Sequence, residues 1–357
     1  VGQQSREREI TVVGAGPAGL ACTIALARAG RRVVVRERQP AAGVRFHGDF
    51  QGLENWTGDS DALEELRAEG IAPKFENAAI FEGTVFDSRG RTYLVRSARP
   101  LYYLVRRGNE PGTLDRALLE QAIAAGAEVR FLDRVETVAG PAVFASGPRR
   151  ADAIAVGYTF ETDMADGHWL ALDNHLAPLG YSYLLVHGGR GTIASCMFAG
   201  FKNWAIHVQR TVSFFEEKTG LVMRNPRRFG GYAAFRPPHP ASAGGHPVAG
   251  EEAGLQDALA GFGIRYALRS GLLAARSIIE GTDYAQLWRR ELLPLVRAAM
   301  VNRFVFNTLG EFGWQLALQK LSGSDTGAIL RRFYRPSLWS RLAFPLASLL
   351  YRAPIGR

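Results

Sequence analysis

The apolar positions near the start of the chain follow two periods in quick succession. Ile10 to Val13 is a β-branched run, Gly14-Ala15-Gly16-Pro17-Ala18-Gly19 interrupts it, and an alanine-rich stretch with helical spacing runs to Ala29, where Gly30 stops it. A second apolar run, Val33 to Val35, leads to Glu37. This pattern predicts strand, glycine turn, helix and strand, one βαβ unit. A loop rich in glycine and polar groups follows, and Asp59 or Ser60 caps a short helix through Leu66. Ala79 to Asp87 and Thr92 to Ser97, either side of Ser88-Arg89-Gly90, predict a hairpin, and Leu101 to Val105 a further strand. Thr113 caps an amphipathic helix over Leu114 to Ala125, with Leu114, Leu118, Ala122 and Ala125 near one face. Ala127 to Leu132 and Pro141 to Ser146 read as strands.

From Ala151 to Arg210 the alternation is that of strands: Ile154 to Glu161, Tyr181 to His187, Gly191 to Met197 and Trp204 to Gln209, with Gly188-Gly189-Arg190-Gly191 as a hairpin turn. No crossover helices separate these runs, so the block predicts an antiparallel sheet rather than a second parallel half. Thr211 to Thr219 reads as a helix and Phe229 to Phe235 as a strand returning to the core. Pro238 to Gly250 is a loop, and a long helix runs from Ile264 to Gly281, preceded by Gly261 and Gly263. The tail from Asp283 is helical. The fold class is α/β: a Rossmann-like domain (1–72, 101–155 and 226–285), an inserted antiparallel β-sheet domain for substrate (73–100 and 156–225) and a C-terminal helical region (286–357).

The first glycine segment has a chemical reading. Gly14 permits the turn off the strand, Gly16 lets backbone approach a pyrophosphate, and Gly19 lets helix and sheet pack closely. The helix start, with Pro17 and Ala18, presents N–H groups and a positive dipole end to phosphates. Glu37 lies where a carboxylate accepts hydrogen bonds from ribose hydroxyls, which favours FAD or NAD over a 2′-phosphorylated cofactor. Arg36 and Arg38 flank it, and Arg38 and Arg45 are candidate cofactor contacts. The later helix start at Gly261, Gly263 and Ile264 can stabilise negative charge on a flavin carbonyl.

Composition narrows the partners. The 357 residues carry a formal charge of +9. No zinc-finger spacing or RNP-like motif accompanies it, so nucleic acid is not expected. Cys22 and Cys196 are the two cysteines, with no CxxC, which excludes a disulfide scaffold and fits a reducing, cytoplasmic setting. The polar N-terminus does not read as a signal peptide. His47, His168, His175, His207, His239 and His246 have no metal-ligand spacing, so no metal site is expected. From Thr326 onward there is no acid, while Arg331, Arg332, Arg335, Arg341, Arg352 and Arg357 interleave with aromatics. The tail is either a layer closing the substrate chamber or a peripheral membrane contact.

With these segments in hand, the chain resembles the geranylgeranyl reductase family, FAD-dependent proteins built like para-hydroxybenzoate hydroxylase. VVGAGPAGLACTIALARAGRRVVVRER resembles the family's ADP-binding segment. RRGNEPGTLDRALLEQAIAAGAEV resembles the stretch where an arginine, Arg107 or Arg106 here, approaches the cofactor. AGEEAGLQDALAGFGI resembles GDAAGxxxPxxGxGI, with Gly250 matching, Glu251 in place of the aspartate at the ribityl chain, and Ala258 in place of proline. Pro178 and Tyr181 match the start of the family's substrate motif, whereas Tyr183 and His187 replace its tryptophan and lysine.

The resemblance implies bound FAD, NAD(P)H as electron donor, and a small apolar or isoprenoid-like substrate whose double bond is reduced. The alternatives are a flavin-dependent monooxygenase, against which Ser146 in Ala145-Ser146-Gly147 weighs, and a membrane-peripheral FAD-binding protein without turnover. Tyr181, Tyr183 and His187 share one strand face by alternation and are the candidate proton donors; the alternative for the tyrosines is a core role with a polar tip.

Overall fold

The computed structural model describes residues 9–235 and 241–352, side chains at 350–352 excepted. The N-terminal polar segment, His239 and Arg357 therefore lie outside the described residues. In chain order the elements are β1 (Ile10–Val13), α1 (Pro17–Arg28), β2 (Val33–Arg36), β3 (Phe50–Glu54), α2 (Ala62–Ala68), β4 (Asn77–Ile80), β5 (Glu82–Asp87), β6 (Thr92–Arg96), β7 (Tyr102–Arg106), α3 (Leu114–Ala124), β8 (Glu128–Arg130) and β9 (Ala142–Phe144). There follow β10 (Ala153–Glu161), β11 (Gly167–Leu172), β12 (Tyr181–His187), β13 (Arg190–Met197), α4 (Trp204–Thr219), β14 (Arg224–Ala233), β15 (Ser242–Ala243), β16 (His246–Pro247), α5 (Ile264–Glu280), α6 (Tyr284–Glu291), α7 (Leu293–Ser322), α8 (Thr326–Tyr334) and α9 (Leu338–Arg352).

The βαβ unit forms the heart of a parallel sheet ordered β8-β2-β1-β9. Gly14 has φ 108°, and a Cβ there would lie 2.3 Å from the Ala145 carbonyl oxygen. A Cβ on Gly19 would lie 2.0 Å from the Gly14 carbonyl oxygen, so the start of α1 packs directly on the turn below it. Helix α5 lies against α1 with similar closeness: a Cβ on Gly271 would lie 2.0 Å from the Ala18 carbonyl oxygen. The small residues at this crossing hold the later helix beside the first crevice. Arg265 and Arg269 of α5 then clamp Glu65 of α2, at 2.6 Å each.

The second sheet has the order β14-β10-β13-β12-β11-β5-β6. It is antiparallel apart from the parallel β11–β5 pair, which lets the early hairpin join the later strands. Two expected strands differ. Trp204 to Gln209 opens α4, because His207, Val208, Thr211 and Phe215 bury on one helical face. Phe229 to Ala233 does not return to the core sheet but pairs with β10 at the edge of this one. The loop expected after Glu37 contains β3, which with β7 and β4 forms a small sheet, β3-β7-β4. Ala79 belongs to β4, so the hairpin proper is β5–β6. Gly310, at φ 57° and ψ −159°, breaks α7 into two helical halves.

Candidate flavin and substrate site

The start of α1 and the end of β2 form the first part of the site. Gly16, at the helix N-cap, has φ −86° and ψ 177°, a backbone that any residue adopts, and a Cβ there would meet nothing within 4 Å. The fold itself does not demand glycine at this position. A ligand brought close to the backbone would. Pro17 at N1 has no N–H to lose, and the N–H groups of Ala18 and Gly19 are without intrahelical partners, as at any helix start. The Glu37 carboxylate accepts from Ala15 N–H at 2.7 Å and Gln39 N–H at 2.8 Å. That leaves about two of its roughly four acceptor positions for ribose hydroxyls.

A cavity of about 800 Å³ begins here, lined by Gly16, Pro17, Ala18, Glu37, Arg38 and Arg45. It continues past Arg107, Gly250 and Glu251 to Gly261, Gly263 and Ile264 at the start of α5. The structure thus gathers these predicted cofactor contacts along one crevice. Gly14 and Gly19 shape the crevice from behind. Arg107 points to it, whereas Arg106 pairs with Glu76 at 2.7 Å away from it. The Arg107 guanidinium is held in a two-pronged ion pair with buried Asp115, both contacts at 2.8 Å, and lies 4.0 Å from the Phe46 ring centroid. Burial opposes its charge, and Asp115 more than offsets this. Arg45 meets Glu251 at 3.4 Å, so Glu251 stands at the cavity opposite a cation rather than alone. The open space at Gly16, the spare acceptors of Glu37 and the second helix start all fit an FAD.

The comparisons agree with this geometry. Residues 12–51 match the NAD(P)-binding Rossmann-like domain family. A digeranylgeranylglycerophospholipid reductase of Methanosphaerula palustris is 26% identical, over 77% of this chain and 77% of its own length. A geranylgeranyl bacteriochlorophyll reductase-like protein from Thermoplasma acidophilum superposes with a TM-score of 0.69 at 17% identity, covering 96% of this chain and 98% of that one. Sequence and fold together place the chain beside the geranylgeranyl reductase family. The oxidoreductase class read from the sequence stands with it. A flavin-dependent brominase shares the fold as well, with a TM-score of 0.60 at 15% identity over 91% of this chain and 98% of that one.

Beyond the flavin end, the cavity widens into an apolar chamber. Its wall is one face of the large sheet: His168, Leu170 and Leu172 of β11 beside Tyr181, Tyr183 and Leu185 of β12. Tyr181 and Tyr183 of the proton-donor candidates are brought to it. The Tyr181 hydroxyl is committed to the Ala260 carbonyl, which ties β12 to the loop before α5. His187 shares their face but lies beyond the chamber, half exposed, with Nδ1 2.8 Å from Asp166. Strand twist and length carry it past the cavity's edge, so alternation alone overextended the site. Burial, with a smaller effect from His187, lowers His168 to about 4. It is therefore neutral at ordinary pH, with Nδ1 2.9 Å from the Tyr102 hydroxyl. This chamber-lining pair had no local motif to reveal it.

Four more residues come from long-range contacts. Glu252, next to Glu251, accepts from Ser146 N–H and hydroxyl at 2.7 Å each, fixing the Ala145-Ser146-Gly147 turn. Arg303 of α7 is buried in the chamber wall, its Cζ 3.8 Å from the Phe198 ring centroid, with a bond to the Leu179 carbonyl. Cys196 is also there, its thiol pushed up to about 11 by burial, so it is not a thiolate nucleophile at neutral pH. Asp257 accepts from Leu259 and Ala260 N–H groups and from the Tyr334 hydroxyl at 2.7 Å, joining the tail to the flavin end.

Burial lifts Asp257 to about 6, against those hydrogen bonds. Its folded-state pKa thus exceeds the unfolded one, so the stability it contributes is complete below about pH 4 and is lost as pH rises through 6. Asp257→Asn is expected to remove that decline from a plot of unfolding free energy against pH. An unchanged slope between these values would contradict the assignment.

Proposed function

We propose that this protein is a FAD-dependent reductase that saturates carbon–carbon double bonds in an isoprenoid-like lipid chain, with NAD(P)H as electron donor. One observation carries the reading: the crevice that fits FAD and the apolar chamber are a single cavity. The relatives named for geranylgeranyl-type substrates support it. Bound FAD would supply the hydride. The chain's own residues do the rest. The start of α1 and Glu37 would hold the dinucleotide, and the Gly261–Ile264 turn would supply backbone N–H groups at the other end of the crevice. Leu170, Leu172, Trp314 and Leu318 exclude water from the chamber. Tyr183 and the Tyr102–His168 pair hold protons at hydroxyl oxygens on its wall. A nicotinamide donor would dock without a glycine-rich segment of its own.

The test is anaerobic. The FAD-loaded protein, reduced and mixed with a lipid bearing geranylgeranyl chains in detergent, is expected to recover its oxidised spectrum, with two hydrogens added per double bond in the extracted lipid. Oxygen-dependent hydroxylation of the same lipid would favour a monooxygenase. A flavin that neither NADPH nor dithionite reduces would favour loss of turnover.

A further inference from the structure

Nine of the seventeen exposed large hydrophobic side chains among the described residues lie between Leu309 and Leu349. On α9, Leu338, Leu342, Leu346 and Leu349 follow a spacing of four, four and three, a single stripe, with Trp339 beside it. Leu342 is 76% exposed. The opposite side of α9 is already used: Ala347 and Ser348 are buried, and the Phe344 ring lies 5.4 Å from Arg297 of α7. Past the Gly310 break, α7 exposes Phe312 and Leu316 one turn apart. Among the described residues no helix is long and apolar enough to cross a membrane. An outward apolar stripe on helices of this kind suits a surface rather than a span.

Two further observations choose the occupant. The stripe is accompanied by exposed Arg332, Arg335 and Arg341, and no acid occurs from Thr326 onward. Arg335 has Asp59 at 3.5 Å, and Glu311 on α7 is held by the Ser88 hydroxyl at 2.9 Å. The remaining balance is cationic. The cavity also reaches this region: Phe333, 55% exposed, lines it, as do exposed Ala317 and Lys320. A second copy of the chain seated here would place cations against cations and close the opening. An anionic bilayer would satisfy the arginines, cover the stripe and present acyl or isoprenoid chains at the opening.

We propose that the second half of α7, with α8 and α9, docks on the surface of an anionic membrane, and that substrate enters the chamber from the bilayer between Ala317, Lys320 and Phe333. The inference rests on the apolar-substrate reading of the cavity, and its test separates the two. The FAD-loaded full chain is mixed with vesicles of phosphatidylcholine alone or with phosphatidylglycerol. Binding is expected to be at least about tenfold stronger to the anionic vesicles and to fall with added salt. The double variant Leu342→Glu, Leu346→Glu is expected to lose about tenfold or more of that binding while keeping its flavin spectrum and unfolding midpoint, because both side chains face outward. It should still reduce lipid in detergent micelles but not in vesicles. Equal binding by variant and wild type, or no binding by wild type, overturns the proposal. So does a wild type that instead self-associates in sedimentation velocity and is dispersed by the two glutamates. If wild type binds vesicles yet reduces no lipid even in detergent, the docking surface stands and the reductase reading fails.

Discussion

Gly16→Val is expected to yield a folded protein that does not hold FAD. The backbone at Gly16 is ordinary, and a Cβ there has no neighbour within 4 Å, so a side chain can start from this position without striking the chain itself. Its side chain does occupy the space that a pyrophosphate needs to reach the N–H groups at the start of α1. Losing that approach should weaken FAD binding by at least about a hundredfold, roughly 2.7 kcal/mol. Isothermal titration of the apoprotein with FAD, beside a denaturant midpoint, measures both halves of this expectation. Gly19→Val is the contrasting case: its Cβ would strike the Gly14 carbonyl at 2.0 Å, so the fold itself should suffer. A Gly16→Val protein with wild-type FAD affinity would show that FAD does not lie against the start of α1.

The second large effect concerns stability. Asp115→Ala leaves the Arg107 guanidinium buried against Phe46 with Gln51, at 3.0 Å, as its remaining side-chain hydrogen-bond partner. It also removes the acceptor for Gly108 N–H at 3.1 Å. Breaking a buried ion pair from one side costs about 3–5 kcal/mol, because an uncompensated charge stays behind. The denaturant midpoint should fall accordingly, with FAD affinity falling too, since Arg107 and Asp115 both line the cavity. A cost below about 1 kcal/mol would show that the pair is not held as described.

The βαβ unit was legible because its signals are local. Glycines, a proline at the first helical position and a closing acid sit at fixed offsets, and the β-branched runs are short and unmixed. Strand β3 was not, since Gly52 and Gln51 interrupt its alternation; Gly52 is needed because a Cβ would lie 2.2 Å from the Phe262 ring. Strand β11, GHWLAL, lacks clear alternation and takes its place from pairing with β5 and β12. The start of α4 reads as a strand because Trp204, Ile206 and Val208 alternate, although of these the helix buries only Val208, with His207, Thr211 and Phe215. The cofactor end of the site depends on such local motifs. The chamber depends on distant partners, Tyr102 with His168, Asp257 with Tyr334, Arg303 with Leu179, and no spacing along the chain encodes those meetings.

The most direct measurement is the absorption spectrum of the purified protein, with mass identification of whatever cofactor is released on denaturation. An oxidised-flavin spectrum is expected, or its appearance on adding FAD, with one FAD per chain. A colourless protein that takes up no FAD on reconstitution would contradict it.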